Sequence, residues 1–374
     1  MSAVPDVAIV GGGPIGLACA RMFGERGVRT VVYDAAEPAA AWRVSAGMLS
    51  PTSEADYGQS EWLRLATDAL GDYEFHLDGL RDETGVDLEF RRCDTLAVAL
   101  DANERAALAR RHALLRDELG LDVEWLDAAG CRAAEPAISP RVLAGLRTHG
   151  EAHVNPRRLV EALEIAAVRL GAEIEHARVT SLEVAGVGAR VGLANGSART
   201  FGHAVLCAGA WSAAIDGPGA DLPVRPVRGQ ILRLKLGGGG APRQMVHSGA
   251  RYLFARAGGE IVLGASVEEQ GFDASALAGE TQELLEDGAR VVPGAREYAL
   301  TEVAVGMRPA TPDNLPIVGR LAPGLHVATG HFRTGILLAF STASAIGDSV
   351  AGTGPPMAYA ALSPARHEVA DVLD

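Results

Sequence analysis

The sequence predicts a mixed fold: a discontinuous α/β domain combined with an α+β domain built on a mostly antiparallel sheet. Three observations carry this expectation. The chain opens with an apolar run, a glycine-rich turn and a helical stretch. Its C-terminal part returns to a buried strand followed by a helix. The segments between are dominated by short, alternating strands. The expected division places the α/β domain at 1–80, 148–215 and 305–374, and the second domain at 81–147 and 216–304.

In order along the chain, Asp6 to Val10 is a short apolar run, followed by the glycine turn and a helical stretch to Arg26. Thr30 to Tyr33 is a second buried strand, which completes a βαβ opening. Ser60 to Leu80 reads as an amphipathic helix, Leu96 to Leu100 as a strand, and Asn103 to Leu119 as a charged amphipathic helix. Pro156 to Leu170 is helical, and Glu173 to Leu206 alternates in short strands, with Asn195-Gly196 as a hairpin turn. Arg228 to Leu236, Tyr252 to Ala255 and Glu260 to Ala265 continue the strand pattern. Gly237 to Gly240 reads as a hairpin loop, because no helix follows that would make it a phosphate loop. Leu325 to Ala328 is a buried strand, and a final helix is expected from Gly335 to Val350.

Composition narrows the partners. The chain has 374 residues and a formal net charge of -13, which argues against nucleic acid or an anionic membrane surface. An anionic substrate then needs a local arginine placed against the global field. Cys19, Cys93, Cys131 and Cys207 are scattered and form no CxxC pair, so neither a metal site nor a disulfide scaffold is expected. The N-terminus lacks a basic region, and its apolar stretch is broken by Gly11 to Gly13 and Pro14, so no signal peptide is read. No uncharged apolar run is long enough to span a bilayer. A cytoplasmic location is the expectation, and homo-oligomerisation is left open.

The glycine turn is the first chemical motif. Gly11-x-Gly13-x-x-Gly16 follows a strand and opens a helix, as in a Rossmann-like nucleotide fold. Gly11 permits the tight turn, Gly13 lets the backbone approach a pyrophosphate, and Gly16 allows close helix–strand packing. Pro14 suits the first helical position, where its missing N–H costs little, and Ile15 follows it in the turn. Asp34 ends the second strand, where a carboxylate accepts from ribose hydroxyls. The motif specifies a dinucleotide without separating NAD from FAD.

Further blocks make that separation: Ser45-Ala46-Gly47-Met48-Leu49, Pro226-Val227-Arg228-Gly229-Gln230, Gly306-Met307-Arg308-Pro309, Leu315-Pro316-Ile317-Val318-Gly319, and His331 to Ala339 after Gly330. Through them the chain resembles the glycine oxidase family, the ThiO-type oxidases of thiamine biosynthesis. That family lies within the wider D-amino-acid oxidase and sarcosine oxidase superfamily. The resemblance implies FAD. No second glycine fingerprint occurs mid-chain, which disfavours a nicotinamide-driven reductase. The resemblance also implies that Ser45, Ala46, Gly47, Met48, Val179, Ala208, Gly209, His331, Phe332, Arg333, Thr334, Gly335 and Ile336 contact the cofactor. Arg308 looks like the carboxylate clamp, since a planar guanidinium binds a carboxylate bidentately. Tyr252 looks like the substrate-contacting tyrosine, Arg333 like a second cation, and Met48 like a residue beside the flavin ring. Tyr252 and Met48 also fit plain core positions, and His331 a packing histidine.

Two departures bear on substrate. Thr334 stands where the family has asparagine, and Val267 stands near where it has a substrate-facing methionine. No cysteine lies at Gly306, where sarcosine oxidases attach their flavin, so noncovalent FAD is expected. The implied reaction is oxidative deamination of a small amino acid to a 2-oxo acid, ammonia and hydrogen peroxide, with dioxygen as acceptor. Three alternatives stay open: another amine substrate, a dehydrogenase using another acceptor, and a flavin-binding subunit active only in a hetero-complex.

Overall fold

Short apolar strands with no polar face need cover on both sides. Val7–Val10 and Thr30–Tyr33 are buried at every residue and pair in parallel. In the computed structural model, which describes residues 6–55, 60–354 and 356–367, they lie side by side inside a six-stranded sheet. The outermost residues of the expected domain segments, 1–5 and 368–374, lie outside the described residues. The strand order is Ile317–Ala322, Leu325–Thr329, His203–Leu206, Val7–Val10, Thr30–Tyr33 and Glu173–Glu175, and only the first of these runs antiparallel to its neighbour.

Side chains alternate between the two faces of each strand. Ile9 and Val32 pack into a core shared with the helices Pro14–Glu25, Pro156–Arg169 and Ala339–Ala351, through Leu17, Leu163 and Ile346. Ala8, Val10, Val31 and Tyr33 face the other way, against a three-stranded antiparallel meander formed by Val179–Ala185, Gly188–Leu193 and Ala198–Phe201. The expected Asn195-Gly196 turn joins the last two strands, and the Asn195 carboxamide oxygen accepts from the Ser197 N–H at 2.9 Å.

The second sheet has nine strands. Ala299–Ala310, Arg225–Lys235, Glu260–Gly264, Arg251–Ala255, Met245–Ser248, Arg91–Ala99, Ala144–His153 and Met48–Leu49 lie side by side, and Val123–Asp127 also pairs with Ala144–His153. The one parallel pair is Met245–Ser248 with Arg91–Ala99, so the sheet is mostly antiparallel. Helix Ala278–Val291 covers it through Leu284, which packs with Leu232 and Leu263. Sheet membership crosses the expected domain boundaries at Met48–Leu49 and at the ends of Ala144–His153 and Ala299–Ala310. These strands lead directly into the space between the two sheets. No helix among the described residues is long and apolar enough to cross a membrane.

Two local expectations are corrected. Gly237 to Gly240 is not a hairpin loop, because the strands on either side of it pair with other partners. It is a crossover whose bare backbone packs on a neighbouring glycine: a Cβ on Gly239 would sit 2.5 Å from Gly294 Cα. The last helix starts at Ala339 rather than Gly335. Thr334 directs both its N–H and its hydroxyl to the His331 carbonyl, at 2.8 and 2.9 Å, and Phe332 adopts a left-handed φ of 47°. Residues 331–338 therefore stay in turns.

The chain passes between the sheets at Ala46 and Val154, and one side chain holds both crossings. Arg256 is fully buried; it donates from Nη1 to the Val154 carbonyl at 2.7 Å and from Nη2 to the Ala46 carbonyl. Its Nε lies 3.0 Å from the Glu260 carboxylate. Burial pulls the guanidinium down to about 10, against the pull of Glu260. Arg256→Met should therefore destabilise the fold by about 3 kcal/mol, the cost of breaking a buried charged contact. Chemical denaturation measures this, and a loss below about 1 kcal/mol would contradict the role.

Candidate active site

Between the sheets lies a cavity of about 630 Å³ that runs from the glycine turn to Arg308 and Tyr252. Its first end follows from backbone crowding. Gly11 has φ +114°, and a Cβ there would sit 2.4 Å from the Cys207 carbonyl oxygen. A Cβ on Gly16 would sit 2.0 Å from the Gly11 oxygen. The helix then starts at Pro14, with Gly13 as N-cap, no side-chain cap and no acidic residue in its first turn. Its first N–H groups are left to a ligand, with the positive end of the helix dipole behind them. Asp34 lies half-buried on the cavity wall, and a Cβ on Gly12 would meet its carboxyl group at 2.9 Å. A bare turn, unused helical donors and a cavity-lining carboxylate at the end of the second strand fit the diphosphate and ribose of FAD.

Most of the expected cofactor residues come together here. Gly11, Gly13, Pro14, Ile15, Asp34, Ser45, Ala46, Gly47, Met48, Val179, Ala208, Gly209, Arg308, His331, Phe332, Arg333, Gly335 and Ile336 all line the cavity. Gly16 and Thr334 do not: the first faces back onto Gly11 and Ile9, and the second is turned to the His331 carbonyl. His331 is buried and bonds Thr342 Oγ1 through Nε2 at 3.1 Å; burial pulls it down to about 3, so it is neutral at pH 7.

The far end is built on a sheet stripped of side chains. Arg308 comes from strand Ala299–Ala310 and lies over Gly229, where a Cβ would sit 2.3 Å from its Nη1. That Nη1 donates to the Ser266 carbonyl at 3.1 Å and the Arg228 carbonyl at 3.3 Å. Arg308 has no carboxylate ion pair among the described residues. Burial pulls it below the usual guanidinium range; Tyr252 opposes this, and Arg333 adds to it. Tyr252 stands opposite Gly264, where a Cβ would meet its hydroxyl at 2.4 Å, and burial pushes the phenol up to about 12. Arg333 is exposed, with its guanidinium 5.1 Å from the Phe332 ring centre. Val267 forms part of the wall, and its segment is tied to the sheet by the buried Arg228 pairing with Glu268.

Sequence reasoning missed three groups here. Glu54 reaches the cavity because buried Glu151, on strand Ala144–His153, holds the adjacent Ser53 by its N–H and its hydroxyl, both at 2.7 Å. Burial lifts the Glu54 carboxyl to about 7; Arg333 opposes the rise and Glu151 adds to it. His247 pairs across the strands with Tyr252, and its Nε2 is buried without a partner among the described residues. Burial, with Arg111 and Arg333 nearby, pulls it down to about 4. Gly229 and Gly264 are the third group, and a glycine inside a strand was the available signal for close approach.

Residues 6–349 match the model of the DAO family, described as FAD dependent oxidoreductase. The chain is 32% identical over 92% of its length to the bifunctional protein ThiO/ThiG of Nostoc sp., and spans about half (52%) of that longer relative. It is 31% identical to the hydrogen cyanide synthase subunit HcnC of Pseudomonas aeruginosa, with 90% of each chain covered. Among solved structures, glycine oxidase from Geobacillus kaustophilus superposes with a TM-score of 0.87 at 27% identity, covering 97% of this chain and 99% of that one.

The seat of Arg308 can be tested without touching Arg308. Gly229→Ala should leave the fold intact, since the clashing atoms belong to a flexible side chain, and should move the guanidinium aside. A displacement of this size costs about 10²-fold in kcat/KM; steady-state kinetics alongside a thermal melt separates the two effects.

Proposed function

We propose that this chain, which belongs to the DAO family of FAD-dependent oxidoreductases and has FAD as its cofactor, oxidises a small amino acid in the manner of a glycine oxidase, giving a 2-oxo acid, ammonia and hydrogen peroxide. One observation carries the reading: Arg308, a cation deep in the cavity without an acid partner among the described residues, shares that cavity with a phenol and a carboxyl group lifted to about 7. An α-amino acid presents the complementary set, a carboxylate and an ammonium group.

When bound, FAD supplies the hydride-accepting group. The chain supplies binding and proton control. Arg308 clamps the substrate carboxylate and Tyr252 donates its hydroxyl to it. Glu54, ionised above about pH 7, takes the ammonium proton, so that the nitrogen lone pair is available for C–H oxidation. His331 stays neutral and positions the loop ahead of the last helix. Met48, Val267 and Arg333 bound the substrate space.

In this reading the six-stranded side is the FAD-binding domain and the nine-stranded side the substrate domain. The one cysteine on the described cavity wall, Cys207, lies at the glycine turn, so FAD is held noncovalently. Dioxygen is the acceptor. The four free cysteines suit a reducing cytoplasm. The likeness to ThiO/ThiG supports a role in thiamine biosynthesis. A second reading, a flavin subunit active only in a hetero-complex, draws support from the likeness to HcnC.

Anaerobic bleaching of the flavin by a panel of amino acids and amines, followed by peroxide release in air, decides between these readings. Bleaching by glycine or sarcosine with peroxide release is expected, whereas no bleaching by the isolated chain favours the subunit reading. Arg308→Ala should lose about 2–5 kcal/mol of substrate capture, seen as a collapse of kcat/KM. Near-normal kinetics would remove the clamp assignment.

A carboxyl with a raised pKa acts as a base only above it. Wild-type kcat/KM should therefore climb as pH rises through about 7. Glu54→Gln should lose that limb and about 10²-fold in rate; an unchanged pH profile would exclude Glu54 as the base.

A further inference from the structure

The cofactor end of the cavity contains a cation that neither the glycine motif nor the reaction accounts for. Arg43 lines the cavity, half-buried, with its guanidinium carbon 4.3 Å from the centre of the Trp42 ring. Its Nε is buried and has no hydrogen-bond partner among the described residues. It forms no ion pair among the described residues. The nearby cavity-lining acids are committed or differently placed: Glu37 pairs with Arg178, and Asp34 sits at the end of its strand against Gly12.

Its position is fixed by the fold. Trp42 approaches the glycine turn directly, with its Cδ1 3.4 Å from where a Gly13 Cβ would be. The backbone of Arg43 is held from two sides. Its N–H bonds the Ala40 carbonyl at 3.0 Å, and its carbonyl accepts from Arg157 Nε at 2.8 Å. Arg157 is itself forked onto Glu302, at 2.5 and 3.0 Å. A guanidinium stacked on an indole keeps its in-plane N–H groups free for an anion while losing little side-chain entropy.

The diphosphate is the only multiply charged part of FAD, and the turn at Gly11 to Gly16 is where such a group binds. Helical N–H groups supply only partial charge there, and the chain as a whole carries -13. We infer that Arg43, seated on Trp42, is a binding residue for the dinucleotide's diphosphate and supplies the full positive charge that the glycine turn lacks. The inference rests on FAD as cofactor and is independent of the substrate reading.

The test is equilibrium binding of FAD to the apoprotein, followed by flavin fluorescence, with ADP as competitor. Arg43→Gln should weaken FAD by about ten- to fiftyfold, between a solvent-exposed and a fully buried charge pair, and should weaken ADP by a similar factor. Arg43→Lys, which keeps the charge without the fork, should recover most of the loss. In the wild type, raising salt from about 0.05 to 0.5 M should weaken FAD measurably, and the Gln variant should respond less. FAD affinity within twofold of wild type in Arg43→Gln would overturn the inference. So would a loss seen with FAD but not with ADP. If neither variant folds, a salt-insensitive wild-type affinity overturns it and a salt-sensitive one supports it. None of these readouts uses substrate turnover, so a failed oxidase reading leaves the test intact.

Discussion

The guanidinium of Arg256 is the point on which the two halves of the molecule depend. It sits where the chain crosses twice between the sheets and satisfies a carbonyl at each crossing, Ala46 and Val154. A backbone carbonyl buried without a donor is costly, and a crossing exposes such groups because neither sheet can pair them. One long, forked cation solves both positions at once, with Glu260 offsetting the burial of its charge. The Ser45 to Met48 segment, which lines the cavity, hangs from this contact.

Charge inside the cavity runs against charge outside. The chain is strongly acidic, yet Arg43 and Arg308 line the cavity, partly buried and with no carboxylate partner among the described residues, beside the exposed Arg333. Burying such groups unpaired is tolerable only where an anion completes them. In the proposed arrangement the cofactor brings its anion to one end, and the substrate brings its own to the other. Glu54, whose carboxyl is lifted to about 7 by burial, would in that arrangement add a proton acceptor without cancelling the attraction for a carboxylate at lower pH.

Much of this was legible in the chain because it is written locally. The βαβ opening lies within one continuous stretch, so periodicity and the glycine spacing sufficed to read it. Arg308 and Tyr252 were singled out through motif context, and both line the same cavity. What stayed hidden depends on contacts between distant segments. Glu54 is placed by Glu151, 98 positions from Ser53, and no local pattern announces that bond. Arg43 sits in a run of small residues that resembles a loop until Trp42 is seen against Gly13. The late start of the last helix had a local cause, the hydroxyl of Thr334 turned onto the His331 carbonyl, but helical propensity outweighed it in the reading.

Gly229 and Gly264 form a bare patch of main chain on neighbouring strands, and Arg308 and Tyr252 rest on it. This divides the site by how freely it can be altered. Any side chain grown from the patch evicts the Arg308 guanidinium or the Tyr252 phenol, so the proposed seat for an α-carboxylate is kept open by the absence of atoms. Val267, His247 and Met48 stand on the walls, where a change of size or polarity leaves that seat intact. Diversification toward new amines, by natural drift or laboratory selection, is therefore channelled to the walls. If the proposed substrate class holds, descendants of this scaffold would change the body of the molecule they accept long before they gave up its acid head.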